Sequence, residues 1–240
     1  MAIDHSLARL AAASGEGIVR LYGWAPAAIS FGRHQRARGA YDGLAIIAAG
    51  LGVVRRPTGG RAILHDRELT YAVALPMAAA TGAREAYNAV TELLRSALRA
   101  MGVAAARADR RGRARSPGPA PCFAEPAAGE LTWDDRKLAG SAQWTEGSAL
   151  LQHGSILLDN DQQRLTSFAS TTADDVPEPA TLRQALGRAP STAEFALAWD
   201  DALTLATGER PRPLDAAAPD AQPLPLLLRL YHDPDWTWRR

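Results

Sequence analysis

The stretch Arg55-Arg56-Pro57-Thr58-Gly59-Gly60-Arg61-Ala62-Ile63-Leu64-His65-Asp66 constrains this chain more than any other. It sets two adjacent glycines between strand-like runs, Leu51–Arg56 and Thr70–Leu75. Two glycines let the backbone approach a ligand closely and aim N–H groups at an anion or a carbonyl. The flanking arginines can hold phosphate or carboxylate bidentately. A phosphate-binding P-loop is excluded, because Gly-Lys-Ser/Thr is missing and no helix pattern follows. A tight hairpin is the competing reading of the same residues.

The rest of the pattern mixes helices and strands without strict βαβ alternation, which predicts an α+β (mixed α/β) fold. Asp4–Ala13 reads as a helix with Ile3, Leu7 and Leu10 on one face. Ile18–Tyr22 and Ala28–Phe31 read as strands around a turn at Gly23–Pro26. Tyr41–Gly50 is expected to be helical. Arg84–Met101 carries Tyr87, Val90, Leu94, Leu98 and Met101 at helical spacing, and Gly102 stops it. Glu130–Ala142 resembles a hairpin turning near Asp134-Asp135, and His153–Leu158 a further strand that begins at His153. Pro177–Pro190 is expected to be surface connection. Ser191 with Glu194 forms a capping-box signature ahead of Phe195, Trp199 and Leu203. Asp215–Pro225 reads as a linker before a short helix, Leu226–Tyr231.

The 240 residues suffice for a buried core, and the whole chain, 1–240, is expected to form one domain. No apolar run approaches the roughly 20 residues of a membrane span, and the start has no signal-peptide pattern, so a cytoplasmic location is expected. A net charge of +1 supplies no global field toward nucleic acid or membrane. Five arginines crowd Arg107–Pro121, expected as an exposed basic loop, with docking of an acidic partner as the competing reading.

Arginine accounts for all but one of the 27 basic residues, the exception being Lys137. Arginine cannot replace lysine where a compact amine must lose a proton or point at one oxygen, so a lone lysine is either required or a chance survivor. The single cysteine, Cys122, excludes an internal disulfide and precedes Lys137 by 15 residues. A hairpin between them could bring the amine to the sulfur; an inert buried thiol is the competing reading. His65 and His153 are each open to a proton-shuttle, scaffold or core role, and no Cys/His cluster suggests a metal.

Taken together, MAIDHSL, VRLYGWAPAAISFG, RRPTGGRAILHDRELTYAV, PCF, DDRKLAGSAQ, LQHGSILLD and DPDWTWRR resemble the biotin/lipoate protein ligase superfamily. Within it, the chain is most similar to cysteine-dependent octanoyltransferases. The resemblance implies a ligase-like catalytic domain with a mixed β-sheet flanked by helices. It implies Cys122 as the nucleophile and Lys137 as its partner. Arg56, Thr58, Gly59, Gly60, Arg61, Ala62, Ile63, Leu64, His65, Gly140, Ser141, Ala142, His153 and Gly154 are implied to line the acyl and carbonyl sites, with Ala62, Ile63 and Leu64 as apolar walls.

By the same resemblance the donor is an octanoyl-acyl carrier protein. The acceptor is a lipoyl-domain protein such as the glycine cleavage H protein or a 2-oxoacid dehydrogenase E2 subunit. No cofactor or metal is implied; ATP and Mg²⁺ belong to the rival ligase reading, against which stand the cysteine and the Gly-Gly-Arg loop. The same motifs are compatible with an amidotransferase acting between lipoyl-domain proteins, and with a non-catalytic carrier-binding module. Relatives of this kind carry a strand ahead of the MAIDHSL helix, so the resemblance predicts an upstream start or a sheet lacking one edge strand.

Overall fold

A computed structural model describes residues 1–79, 82–108, 122–170, 177–215, 217–218 and 221–239. Apart from its first two residues, the tract expected as a basic loop lies outside the described residues.

In chain order the elements are α1 (Ala2–Ser14), β1 (Ile18–Tyr22), β2 (Ala28–Phe31), α2 (Gly43–Ala48), β3 (Gly52–Arg55), β4 (Ile63–His65), β5 (Glu68–Pro76), α3 (Ala83–Ala100), β6 (Ala106–Arg107), β7 (Leu131–Trp133), β8 (Arg136–Glu146), β9 (Ala149–Leu157), α4 (Leu182–Leu186), α5 (Thr192–Thr207), α6 (Pro225–His232) and α7 (Pro234–Thr237). They build two sheets. One is antiparallel with six strands in the order β1-β5-β9-β8-β7-β6; the other has three, β3-β2-β4, with β2 parallel to β3 and antiparallel to β4. The α+β class is the one the residue pattern predicts.

Alternation along the strands of the large sheet decides what each face covers. Leu69, Tyr71 and Val73 of β5 and Ile156 of β9 pack under α3 and α5, against Val90, Leu94, Leu98, Phe195 and Trp199. Burying such side chains stabilises by about 1.5–3 kcal/mol each, which makes this layer the main core. On the opposite face Ala72, Ala74 and Leu151 meet Leu7, Ala8 and Ala11 of α1. The small sheet has its own core of Ile29, Phe31, Ala62 and Leu64 beneath Ile46, Leu165 and Phe168.

Local chemistry explains several boundaries. Gly15, with φ 78, closes α1 and donates its N–H to the Ala11 carbonyl. Asp134 and Asp135 form the expected turn, both at positive φ (53 and 57), as a two-residue hairpin between right-twisted strands requires. The Ser191–Glu194 capping box forms as expected.

Other expectations need correction. The segment expected as surface connection at 177–190 contains α4, opened by a second capping box, Thr181 with Gln184, and it buries Ala180 and Leu182. His153 does not begin a strand; it sits in the middle of β9, opposite Ala142 and Ala72, because the β8–β9 hairpin runs further than its apolar residues suggest. The helix expected over Tyr41–Gly50 is shorter, starting after its cap residue Asp42. The glycine loop is not a tight hairpin: β3 and β4 flank β2 on opposite sides, so the loop crosses the end of that strand.

Candidate active site

A cavity of about 850 Å³ opens between the large sheet, the glycine loop and the short 3-10 turn Cys122–Ala124. Half-buried Cys122 stands at its wall, its backbone N–H fixed to the Ala62 carbonyl at 3.0 Å. Lys137 reaches it from β8. Its Nζ lies 3.7 Å from Cys122 Sγ, 2.9 Å from the Cys122 carbonyl and 2.7 Å from Glu130 Oε2. The hairpin between the two residues thus brings amine and sulfur together.

The aim of Lys137 depends on an irregularity. Leu131 pairs with Ala139 but Thr132 with Lys137, so Leu138 is an extra residue in β8. In a regular strand, neighbours point to opposite faces; here both Leu138 and Ala139 join the core under α3, while Lys137 and Gly140 border the cavity. The bulge therefore turns the amine into the site.

Lys137 is 3% exposed. Burial pulls its pKa down, but the charges of Cys122 and Glu130 outweigh burial and hold it above the ordinary lysine value. Glu130, itself buried, also accepts the Ala127 N–H at 2.6 Å. Sequence reasoning missed Glu130; its place just before β7, seven residues ahead of the lone lysine, is the only signal it gives.

The paired arginines are anchors, a role unlike the bidentate anion binding their chemistry allows. Arg56 is buried and spends its donors on backbone: Nε and Nη2 bond the Gly59 carbonyl, Nη2 the Arg61 carbonyl, and Nη1 both the carbonyl and hydroxyl of Ser30. Burial lowers its pKa. Arg55 faces the other way, donating to the carbonyls of Gly32, Gln35, Trp236, Thr237 and Arg239. Gly60 holds φ 97, and a Cβ on it would fall 2.7 Å from Arg56 Nη2. A Cβ on Gly32 would run into the Gly60 carbonyl. Glycine at both positions is thus required by close approach.

Behind the loop run two carboxylate–imidazole–hydroxyl chains. Asp4 faces His153 Nδ1 at 3.7 Å, and His153 Nε2 shares a 2.7 Å hydrogen bond with Thr58 Oγ1. Glu68 bonds His65 Nδ1 at 2.7 Å, and His65 Nε2 bonds the Ser30 hydroxyl at 2.7 Å. Burial lowers the His153 pKa, which keeps its imidazole neutral at pH 7. Asp4 is pushed up by burial, but the amino terminus, His153 and Arg20 outweigh that and hold it well below the usual carboxylate range.

Of the residues implied by resemblance, Arg56, Gly59, Gly60, Arg61, Ile63, His65, Cys122, Lys137, Gly140, Ser141, Ala142, His153 and Gly154 border the cavity. Three do not. Ala62 and Leu64 turn into the core of the small sheet, leaving Ile63 as the wall, because side chains alternate along β4. Thr58 lies behind His153. The floor is made of small residues: a Cβ on Gly140 would fall 3.5 Å from Lys137 Nζ, and one on Gly154 would strike the Gly140 carbonyl. Beyond Ala139, among the described residues, no strand lies beside the β8 edge that faces away from β9. Among them, too, no group of three His, Cys, Asp or Glu is placed to hold a metal ion, and no helix is long and apolar enough to cross a membrane.

Comparison with known proteins finds relatives along the whole chain. Octanoyltransferase LipM of Kyrpidia tusciae is 36% identical over 258 aligned residues, covering 100% of this chain and 94% of that protein. The Exiguobacterium sp. protein of the same name is 37% identical, with 100% and 93% covered. Among solved structures, a lipoate-protein ligase A bound with ATP superposes with a TM-score of 0.76 at 19% identity, over 99% of this chain and 92% of that one. A bi-partite lipoate protein ligase from Thermoplasma acidophilum gives 0.75 at 18%, over 99% and 89%; these two establish the fold. The sequence profile of the lipoyl protein ligase A/B catalytic domain matches residues 1–204, and the chain belongs to that family.

Proposed function

We propose that this protein is an octanoyltransferase, working in the cytoplasm, that moves octanoate from an acyl carrier protein through a thioester on Cys122 to a lysine of a lipoyl domain. The observation that carries the reading is the only cysteine standing 3.7 Å from the only lysine at the wall of a cavity. The relatives named octanoyltransferase support it.

In the first step the Cys122 sulfur attacks the carbonyl carbon of the donor thioester. A new C–S bond forms, the tetrahedral oxyanion collapses, and the carrier leaves as a thiolate that takes up a proton. Lys137 offers the sulfur, and then the carbonyl oxygen, a charged hydrogen-bond donor. Backbone N–H groups between Gly140 and Ala142, on the strand edge that has no neighbour among the described residues, supply further donors to the oxyanion. In the second step the acceptor amine attacks the enzyme thioester and the C–S bond breaks as the amide forms. Cys122 leaves as a thiolate while the attacking nitrogen gives up the proton that restores the thiol. The buried cations Lys137 and Arg56 disfavour a second ammonium, so the amine enters neutral. Both steps start from a thioester, an already activated acyl group, and neither requires ATP.

The test is intact mass measurement after incubation with octanoyl-carrier protein in the absence of ATP. An octanoyl adduct on Cys122 that passes to an added lipoyl domain is expected, and Cys122→Ala should lose both while remaining folded. Modification of the lipoyl domain only when ATP and free octanoate are supplied would make the protein a ligase.

A further inference from the structure

Many exposed arginines are neutralised in pairs: Arg67 and Arg183 with Asp159, Arg188 with Glu194, Arg164 with Asp66. Others have no such partner, among them four on segments that border the cavity or are tied together through Arg55. Arg33, Arg36, Arg61 and Arg239 have no carboxylate within ion-pair distance among the described residues. The guanidinium groups of Arg239 and Arg33 lie 4.2 and 5.9 Å from the centre of the Trp236 ring. Arg239 Nη2 also donates to the Arg33 carbonyl at 2.6 Å. Two like charges crowd one indole with no counterion between them among the described residues; the neighbouring carboxylate, Asp235, is exposed and turned to Arg38 at 3.5 Å. Such crowding is relieved by an anionic partner.

This surface is preorganised. Buried Arg55 ties the carbonyls of Gly32 and Gln35 to those of Trp236 and Arg239, so both halves of the patch share one anchor. It also adjoins the cavity: the Arg33 N–H bonds the Thr58 carbonyl at 2.7 Å, and Arg61 sits at the cavity wall. The glycine loop meets Arg33 at Thr58 and Cys122 at Ala62, so a partner seated on Arg33 and Arg239 is set back from the sulfur by the loop, with Arg61 leading into the cavity between them. That arrangement suits a donor whose acyl group rides on a long arm. An acceptor must bring the lysine side chain itself to the thioester.

We propose that the arginine surface formed by Arg33, Arg36, Arg61 and Arg239 docks the acidic carrier protein that delivers the octanoyl thioester. The proposal rests on the octanoyl-transfer reading and adds the place where its donor binds.

The experiment compares wild type with Arg33→Glu/Arg36→Glu and with Arg36→Glu alone, whose exposed side chain makes no contact that folding needs. Acylation of Cys122 is timed by mass spectrometry with octanoyl-carrier protein and, separately, with octanoyl-pantetheine, which lacks the protein. Transfer from pre-acylated enzyme to a lipoyl domain is timed as a third rate. Charge reversal should slow acylation by the carrier about 10–100-fold. That loss should exceed the loss with octanoyl-pantetheine at least tenfold, and added salt should slow wild type toward the variants. Equal losses with both donors, a loss confined to the transfer step, or no loss at all would each overturn the assignment. Wild type that accepts octanoate from neither donor would instead overturn the octanoyl-transfer reading, and the docking proposal with it.

Discussion

Glu130→Gln tests the electrostatics on which Lys137 depends. The pair is buried on both sides, with side-chain exposures of 3% and 6% and a separation of 2.7 Å. Removing one charge from such a pair costs about 3–5 kcal/mol, because the remaining ion stays desolvated. Glutamine keeps an acceptor oxygen for Lys137 and for the Ala127 N–H, which places the expected cost at the lower end, about 3 kcal/mol. For a chain of this size each kcal/mol moves the melting point by about 2–4 °C, so thermal unfolding at pH 7 should begin about 6–12 °C lower.

The pH dependence gives an independent check. In wild type the Lys137 pKa is raised above 10.5, so its contribution is complete below 10.5 and is lost only as pH rises through the higher folded value. Without Glu130 the balance tilts toward burial, and the amine of the folded variant gives up its proton more readily. The variant then recovers stability as pH rises through that lowered value, and the gap to wild type should narrow between pH 7 and 10. Melting points within 1 °C of each other at pH 7, or a gap that does not change with pH, would refute the argument.

Three further outcomes are expected. Lys137→Arg should abolish acyl-enzyme formation while leaving a folded protein, since a planar guanidinium cannot fill a site built for one ammonium; normal turnover would make the lysine a mere surviving cation. Gly154→Ala should destabilise by about 1–3 kcal/mol in chemical unfolding, because its methyl would strike the Gly140 carbonyl and approach Tyr71 Cε1 at 2.7 Å. Wild-type stability should fall as pH drops below 6.5, where the unfolded chain takes up a proton that buried His153, with its lowered pKa, refuses. His153→Gln should flatten that acid slope, and an unchanged slope would assign it elsewhere, His5 being the other histidine whose pKa burial lowers.

Much of the site was legible in the residues themselves. The adjacent glycines announced a close approach, and the Asp134-Asp135 turn between Cys122 and Lys137 returned the amine to the sulfur. What stayed hidden depends on how strands pair. No local pattern marks Leu138 as an extra residue, yet that bulge alone separates Lys137 from the core. Paired arginines look like an anion clamp, but β3 ends between them and sends one guanidinium to each side, where buried carbonyls consume their donors. Asp4 and Glu130 are carboxylates in ordinary surroundings by sequence, and only tertiary packing makes them counterions. Thr181 with Gln184 did carry a local capping signal, which its flanking prolines masked.

The fastening of Arg55 bears on where this protein can be divided. The catalytic-domain profile of the family ends at residue 204, whereas the carbonyls that satisfy this guanidinium lie at Trp236, Thr237 and Arg239. A hydrogen bond to a charged group contributes about 1.5–3 kcal/mol, and a buried cation deprived of several becomes a liability in the middle of the domain. A fragment trimmed to the profile, residues 1–204, would keep Cys122, Lys137 and the glycine loop but lose the clasp that closes the small sheet. The stretch covered by the family profile is therefore shorter than the stretch that Arg55 ties together.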